Sequence, residues 1–191
     1  HPQEHDEIQA MLLFSCPIHH PSCMIRKSVL EQNHICYDKR FISLNDRKLY
    51  WDIAHHAKLH NLQDVLYQYR MHPMMTSKVR RQEIMNEQLV YREILLDKYG
   101  IKLSDKEKNI LNTYVLNGRC RITSKLILQE IKDVLEKLIC ENQHLHFSDP
   151  KVLRRVCASY LVRRCKNAAL RGGIPSKHIL AKTTLPVKPP M

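Results

Sequence analysis

Apolar side chains at helical spacing constrain the second half of this 191-residue chain more than any other feature of its sequence. From residue 77 to residue 173 they recur at helical spacing, with one stripe at Ile84, Tyr91 and Leu95, in runs that helix-breaking residues and a capping box from Ser104 to Glu107 separate. One run has the apolar face Ile127, Ile131, Val134, Leu135 and Leu138. The last run follows Asp149-Pro150 and stops at Gly172-Gly173, with an inward face of Leu153, Val156, Cys157, Tyr160, Leu161 and Cys165. The spacing predicts packed helices over residues 77–173.

Shorter signals of both kinds occupy residues 1–76. Helices are predicted at 4–14, at 27–32, and from an N-cap at Asn45 or Asp46 to about residue 56. Short strands are predicted at 21–26, 59–62 and 65–70, where Tyr67 and Tyr69 alternate with their neighbours. We therefore expect an α/β fold (α+β for this chain alone) with three parts: a mixed domain at 1–76, a helical extension at 77–173 and a mobile basic tail at 174–191.

The net charge of +12 is concentrated at the end of the chain. Residues 151–191 contain ten Lys and Arg and no Asp or Glu, which leaves +2 for residues 1–150. This asymmetry is typical of a near-neutral domain with a cationic appendage. The basic side of the last helix predicts either a solvated face or, over residues 151–171, a contact with an anionic membrane surface. Its cations are Lys151, Arg154, Arg155, Arg163, Arg164, Lys166 and Arg171.

Glycine and cysteine usage exclude several classes of site. Four glycines, none in a Gly-rich motif, exclude a phosphate-binding glycine loop. Seven scattered cysteines without a Cys-x-x-Cys pair indicate neither a zinc ribbon nor a disulfide scaffold. The cysteines predict a reducing compartment, and no long apolar run or signal peptide is present. We therefore expect a cytoplasmic protein, peripheral on the inner face of the membrane if the basic helix binds there.

The stretch from His20 to His72 contains the candidate chemistry. Asp46 lies where a helix N-terminus favours its ionised form, so that it could accept a proton from a hydroxyl. Arg70 and His72 follow a predicted strand and could meet a diphosphate or its metal ion. The plainer alternatives are that Asp46 is only an N-cap and that His72 is a surface histidine.

Three segments in this stretch resemble the acceptor-side half of family 2 glycosyltransferases, over about residues 1–80. HPSCMIRKSVL at 20–30 is similar to the family's HPSxMxRKSxL segment. YDKRF at 37–41 and NDRKLY at 45–50 together stand in place of its YDxxF…EDxxLW segment. NLQDVLYQYRMH at 61–72 is similar to its NxxxVLxxYRxH segment.

The resemblance implies a GT-A fold and an inverting sugar transfer from a nucleotide-diphosphate sugar to a glycan or lipid-linked acceptor, in cell-surface polysaccharide or lipopolysaccharide synthesis. It implies Mg²⁺ or Mn²⁺, with His72 as a candidate metal ligand. Asp46 matches the catalytic base. The expected substrate-binding residues are Asn45, Tyr50, Trp51 and Arg70, although Tyr50 and Trp51 could equally belong to the core.

The sequence departs from the family pattern at several positions. Asn45 replaces the Glu of the Glu-Asp pair, and Tyr50 replaces the Trp, with Trp51 one place later. The Asp-x-Asp metal motif of the nucleotide-binding half does not occur. We therefore expect that this chain alone does not transfer sugar.

Two other functions stay open from the sequence. One is a basic helical module that binds nucleic acid, although no helix-turn-helix or zinc finger is recognisable and only 3 Phe and 1 Trp are present. The other is a non-catalytic glycosyltransferase relative used for protein interaction. The leading prediction includes no nucleic-acid partner.

Overall fold

A computed structural model describes residues 1–116 and 120–172, without the side chains of residues 77, 171 and 172. Within these ranges all regular secondary structure is helical. The α-helices are α1 His5–Leu12, α2 Lys27–Gln32, α3 Asn45–Ile53, α4 Thr76–Val79, α5 Arg81–Lys98, α6 Asp105–Ile110, α7 Lys125–Leu145 and α8 Pro150–Gly172. A 3-10 turn covers His20–Ser22, and a π-helical stretch, Leu111–Leu116, continues α6.

The expected α/β fold of the GT-A type is wrong, because the described residues contain no β-strand. Residues 59–62 and 65–70, which were predicted as strands, lie in a segment without regular structure, and the predicted strand at 21–26 begins as the 3-10 turn. A strand requires a partner for its backbone hydrogen bonds. Here the Leu59 N–H instead donates to Nδ1 of His5 and the Asn61 N–H to the carbonyl of Gln3.

Two compact units make up the chain, His1–Leu95 and Leu96–Met191. The boundary lies inside α5, whereas the sequence placed a domain boundary after residue 76. Most of α5 belongs to the first unit because Glu87 and Tyr91 contact the segments around α1 and α3. The predicted basic tail at 174–191 lies outside the described residues.

The first unit is built around α1 and α3. One face of α1 is fully buried, as its spacing predicts, and α3 packs against it with most of its length inside. The buried residues are Ile8, Ala10 and Leu12 of α1 and Arg47, Leu49, Tyr50, Trp51 and Ile53 of α3. The N-cap of α3 is Leu44, which makes no side-chain capping bond, so the predicted cap at Asn45 or Asp46 is wrong by one or two positions.

The helices of the second unit follow their sequence signals closely. α5 ends two residues before Gly100, whose φ of +65° is the left-handed conformation that favours glycine. α6 starts with the predicted capping box between Ser104 and Glu107. The predicted inward face of α8 is confirmed, since all six of its residues are buried. Arg164 was placed on the polar side but is only 2% exposed, and its Nη1 donates to the carbonyl of Tyr114 at 3.4 Å.

Candidate functional site

A cavity of about 1060 Å³ in the first unit brings the resembling segments together. Its wall includes Tyr50 of α3, residues in and around the 3-10 turn, and residues of the irregular segment that follows α3. The side chains used below are His19, Ser22, Cys23, Tyr50, Asn61, Gln63, Tyr67 and Tyr69. A concave site with convergent polar and aromatic groups is where a ligand is expected to bind.

His20 joins two of these segments. Its Nδ1 lies 2.7 Å from the hydroxyl of Tyr50 and its Nε2 lies 3.3 Å from the hydroxyl of Tyr37. Cys23 Sγ is 3.9 Å from the same Nδ1. These contacts fix the turn at 20–23 against α3 and hold the Tyr50 ring on the cavity wall. His20 therefore has the scaffold role that is typical of a hydrogen-bonded histidine.

An aromatic cluster of His19, Tyr67 and Tyr69 forms another part of the wall. The His19 ring lies 5.3 Å from the ring of Tyr67 and 5.0 Å from that of Tyr69, and the two tyrosine rings are 6.5 Å apart. The tyrosines are 41% and 47% exposed, so part of each ring stays open to a ligand. Nδ1 of His19 is buried and has no hydrogen-bond partner in the described part of the chain. The cluster therefore offers aromatic ring surface to a ligand.

Asn61 anchors the segment that carries the two tyrosines. Its side-chain amide donates to the carbonyls of Pro2 at 2.6 Å and Pro17 at 3.1 Å, and its backbone N–H donates to the carbonyl of Gln3 at 3.1 Å. These bonds tie the beginning of the exposed segment to the chain on either side of α1. Asn61, the first residue of the third resembling segment, therefore has a structural role.

Asp46 lies in the first turn of α3, half-buried. Its Oδ1 accepts the backbone N–H of Arg47 at 2.6 Å, and no further hydrogen bond reaches the carboxylate within the described residues. Tyr50 follows four positions later, on the same side of the helix. Burial raises the pKa of Tyr50 above its usual range, and the Asp46 charge adds to this shift. Asp46 is therefore close to the cavity wall but not among the residues that line it.

Arg47 points the opposite way, into the core. It is 2% exposed, and its Nε and Nη2 donate to the carbonyl of Leu12 at 3.1 and 2.7 Å. The guanidinium also lies 4.5 Å from the centre of the Tyr91 ring. These contacts fix α3 to the end of α1.

Glu87 of α5 is a residue of this site that the sequence analysis missed. Its carboxylate accepts the backbone N–H groups of Ile42, Ser43 and Leu44, directly before α3. The available signal was its position between Ile84 and Tyr91 on the predicted apolar stripe of α5. An acidic residue on such a stripe indicates a polar partner inside the fold.

The structure does not bring the other predicted site residues to the cavity wall. Trp51 is 1% exposed and belongs to the core, which decides between its two sequence interpretations. Asn45 is half-buried beside Asp46, and Arg70 and His72 are exposed in the irregular segment. Of the expected substrate-binding residues, Tyr50 is the one that lines the cavity.

The expected Mg²⁺ or Mn²⁺ has no ready-made site in the described part of the chain. No group of three or more His, Cys, Asp or Glu side chains there is arranged to hold a metal ion. His72 is not joined by other ligands, and divalent cations of this kind prefer several oxygen ligands. The described residues therefore do not fit a metal centre by themselves.

The apolar face of α8 is buried against α7, and much of the side that meets solvent is basic. The exposed cations there are Lys151, Arg155, Arg163 and Lys166. None of the described helices has the length and hydropathy needed to span a bilayer.

One curated protein resembles the chain in sequence. It is a protein of Haemophilus influenzae named "Uncharacterized glycosyltransferase", 27% identical over 154 residues, which cover 76% of this chain and 46% of the relative. The chain thus spans about half the length of the curated relative it matches. No protein-family model and no solved structure matches the chain. The chain is therefore similar to a protein that is named as a glycosyltransferase. An identity of 27% does not show which family the chain belongs to.

Proposed function

We propose that the protein is a glycosyltransferase that moves a sugar from a nucleotide-diphosphate sugar to a hydroxyl of a glycan, free or lipid-linked, with inversion at the anomeric carbon. The observation that carries the proposal is that the three resembling segments each contribute residues to one cavity. Asp46 lies one helical turn from Tyr50, which is part of the cavity wall. The similarity to the Haemophilus influenzae protein supports it independently of the geometry.

Asp46 is the proposed general base. Its carboxylate takes the proton of the acceptor hydroxyl while that oxygen forms a bond to the anomeric carbon. The bond between the anomeric carbon and the diphosphate oxygen breaks, and the nucleoside diphosphate leaves with the bonding electrons. Within the described residues a single hydrogen bond, from the Arg47 N–H, reaches the Asp46 carboxylate, which leaves it able to accept this proton.

The aromatic cluster is the proposed binding site of the acceptor sugar. A sugar ring has a face of C–H groups that packs on aromatic rings, while its hydroxyls need hydrogen-bond partners. The rings of Tyr67 and Tyr69 supply the surface, and Gln63, on the same wall, supplies a polar side chain.

Transfer is tested with the full-length gene product and a panel of labelled nucleotide-diphosphate sugars. The acceptors are the lipid and polysaccharide extract of the source cells, and both labelled product and released nucleoside diphosphate are measured. We expect transfer from at least one donor, and a Tyr67→Leu/Tyr69→Leu variant that needs more acceptor for the same rate. Absence of transfer and of nucleotide release with every donor would contradict the proposal. A Tyr37→Phe variant, which changes a partly exposed tyrosine outside the cavity wall and keeps its ring beside His20, serves as the control.

A further inference from the structure

A carboxylate on α5 holds the backbone that leads into α3. Oε1 of Glu87 accepts the N–H of Ile42 at 3.0 Å, and Oε2 accepts those of Ser43 and Leu44 at 2.8 and 2.9 Å. Leu44 is the N-cap of α3, and its carbonyl accepts the N–H of Lys48 at 3.1 Å, which is the first hydrogen bond of the helix. Glu87 thus binds the N–H of the N-cap residue, as the Glu of a capping box does, and the N–H groups of the two residues before it.

A second α5 side chain holds the other side of the same turn. Tyr91, one turn after Glu87, lies under the Arg47 guanidinium and donates its hydroxyl to the carbonyl of Leu12 at 3.4 Å. Leu12 also accepts both hydrogen bonds of Arg47. Asp46 lies between the two positions that α5 secures, with the Glu87 contacts just before it and Arg47 just after it. The backbone of Asp46 therefore has little freedom to move relative to α5.

We infer that Glu87 is a positioning residue for Asp46, and this inference rests on the proposed function. Hydrogen bonds from three N–H groups to one ionised carboxylate are stronger than neutral ones. Without them, the amides of residues 42–44 would turn to water and the first turn of α3 would shift. A displacement of about 1 Å at a catalytic group costs up to about a hundredfold in rate. Glu87 does not touch the substrate in this account and acts through Asp46.

The test compares Glu87→Gln with Glu83→Gln in the full-length gene product. The Glu87→Gln change keeps the size of the side chain but removes the charge and one acceptor oxygen. Glu83 is one turn earlier on α5 and pairs with Arg80 near the surface, so its variant is a matched control. The donor that gives the highest turnover in the panel above is the probe. Hydrogen exchange of residues 42–46 reports the local backbone, and kcat and KM for the donor report the chemistry.

A double-mutant cycle with Asp46→Asn separates positioning from a general loss of structure. We expect Glu87→Gln to speed exchange at 42–46 and to lower kcat at least about tenfold with little change in the donor KM. In the Asp46→Asn background the same change should lower the residual rate little further. An equal loss in both backgrounds, or an unchanged kcat, would overturn the inference.

Two further results distinguish this inference from the function on which it rests. Normal turnover by Asp46→Asn would overturn the proposed function and the role of Glu87 with it. A strongly impaired Asp46→Asn beside a fully active Glu87→Gln would overturn the positioning role alone. If Glu87→Gln does not fold, Glu87→Asp, which keeps the charge on a shorter side chain, takes its place in the same cycle with the same expected results.

Discussion

The Tyr50 hydroxyl lies 2.7 Å from Nδ1 of His20 and joins α3 to the turn at residues 20–23. Burial raises the pKa of the Tyr50 phenol above its usual range, so the hydroxyl stays protonated in its contact with the imidazole. This hydrogen bond fixes the part of the cavity wall nearest to Asp46.

Tyr50→Phe removes that hydrogen bond without removing the ring. We expect the free energy of unfolding to fall by about 1–2 kcal/mol, because the partly buried Nδ1 of His20 loses its nearest hydrogen-bond partner. Urea unfolding followed by the fluorescence of Trp51, the single tryptophan, measures this in the first unit. Tyr37→Phe removes the longer bond of a half-exposed tyrosine and should change the same quantity by less than about 0.5 kcal/mol. Equal losses in the two variants would contradict the account.

Arg47→Met keeps much of the buried volume but removes the guanidinium. Since the carbonyl of Leu12 would lose two charged donors inside the core, we expect a loss of about 2–4 kcal/mol in the free energy of unfolding. Arg40→Met is the comparison, because Arg40 pairs with Asp38 at the surface. Urea unfolding should show less than about 1 kcal/mol for that variant. If Arg47→Met lowered the free energy of unfolding as little as Arg40→Met does, the buried contacts of Arg47 would contribute little to stability.

The cysteines should react with iodoacetamide in an order set by burial. Desolvation raises the pKa of Cys157 to about 12 and that of Cys16 to about 11. Thiolates are the reactive form, so both should be labelled slowly in the native protein. Cys36 and Cys140 are exposed and should be labelled first. Mass spectrometry of timed samples gives the order, and rapid labelling of Cys157 would contradict the buried α8 face.

The Glu107–Lys137 pair makes the stability of the second unit depend on pH. Burial acts to raise the pKa of Glu107, but hydrogen bonds from Lys137 and Ser104 outweigh it and hold the pKa below 4.5. A carboxyl with a lowered folded pKa stabilises the fold above its unfolded pKa, and this contribution is lost as the pH falls through the folded value.

We therefore expect Lys137→Met to lower the Tm by about 2–4 °C at neutral pH and to have little effect once Glu107 is protonated. Circular dichroism melts at neutral and strongly acidic pH measure both values. Lys132→Met, on the same helix, removes a longer pair with Glu136 and should show no such pH dependence. A pH-independent effect of Lys137→Met would argue against the pair.

Local sequence signals predicted the helices well because each signal acts within a few residues. The spacing of Leu153, Val156 and Cys157 and the Ser104–Glu107 box are examples, and both are confirmed. The strands were wrong because alternation, as at Tyr67 and Tyr69, yields a strand only where a second strand pairs with it. The sequence shows the alternation, but it does not show whether a second strand is available to pair with it.

The parts of the site that lie within one segment could be predicted from the sequence. The parts that depend on contacts between distant residues could not. Asp46 and Tyr50 share one helix, so their proximity follows from helical spacing. Glu87 reaches the backbone of residues 42–44 across more than forty positions, and its place on an apolar stripe indicates a polar partner without showing which one. Arg47 is buried, and its partner is a backbone carbonyl that sequence patterns do not show.

The most direct test of the central claim is turnover by Asp46→Asn in the full-length gene product, with Asp52→Asn as the control. Asp52 lies on the same helix and pairs with Lys48, away from the proposed base role. We expect Asp46→Asn to lower kcat for sugar transfer by about 10²–10⁴-fold while donor binding is retained, because the base is lost and the fold is kept. Asp52→Asn should stay near the wild-type rate. Near-wild-type transfer by Asp46→Asn would contradict the account.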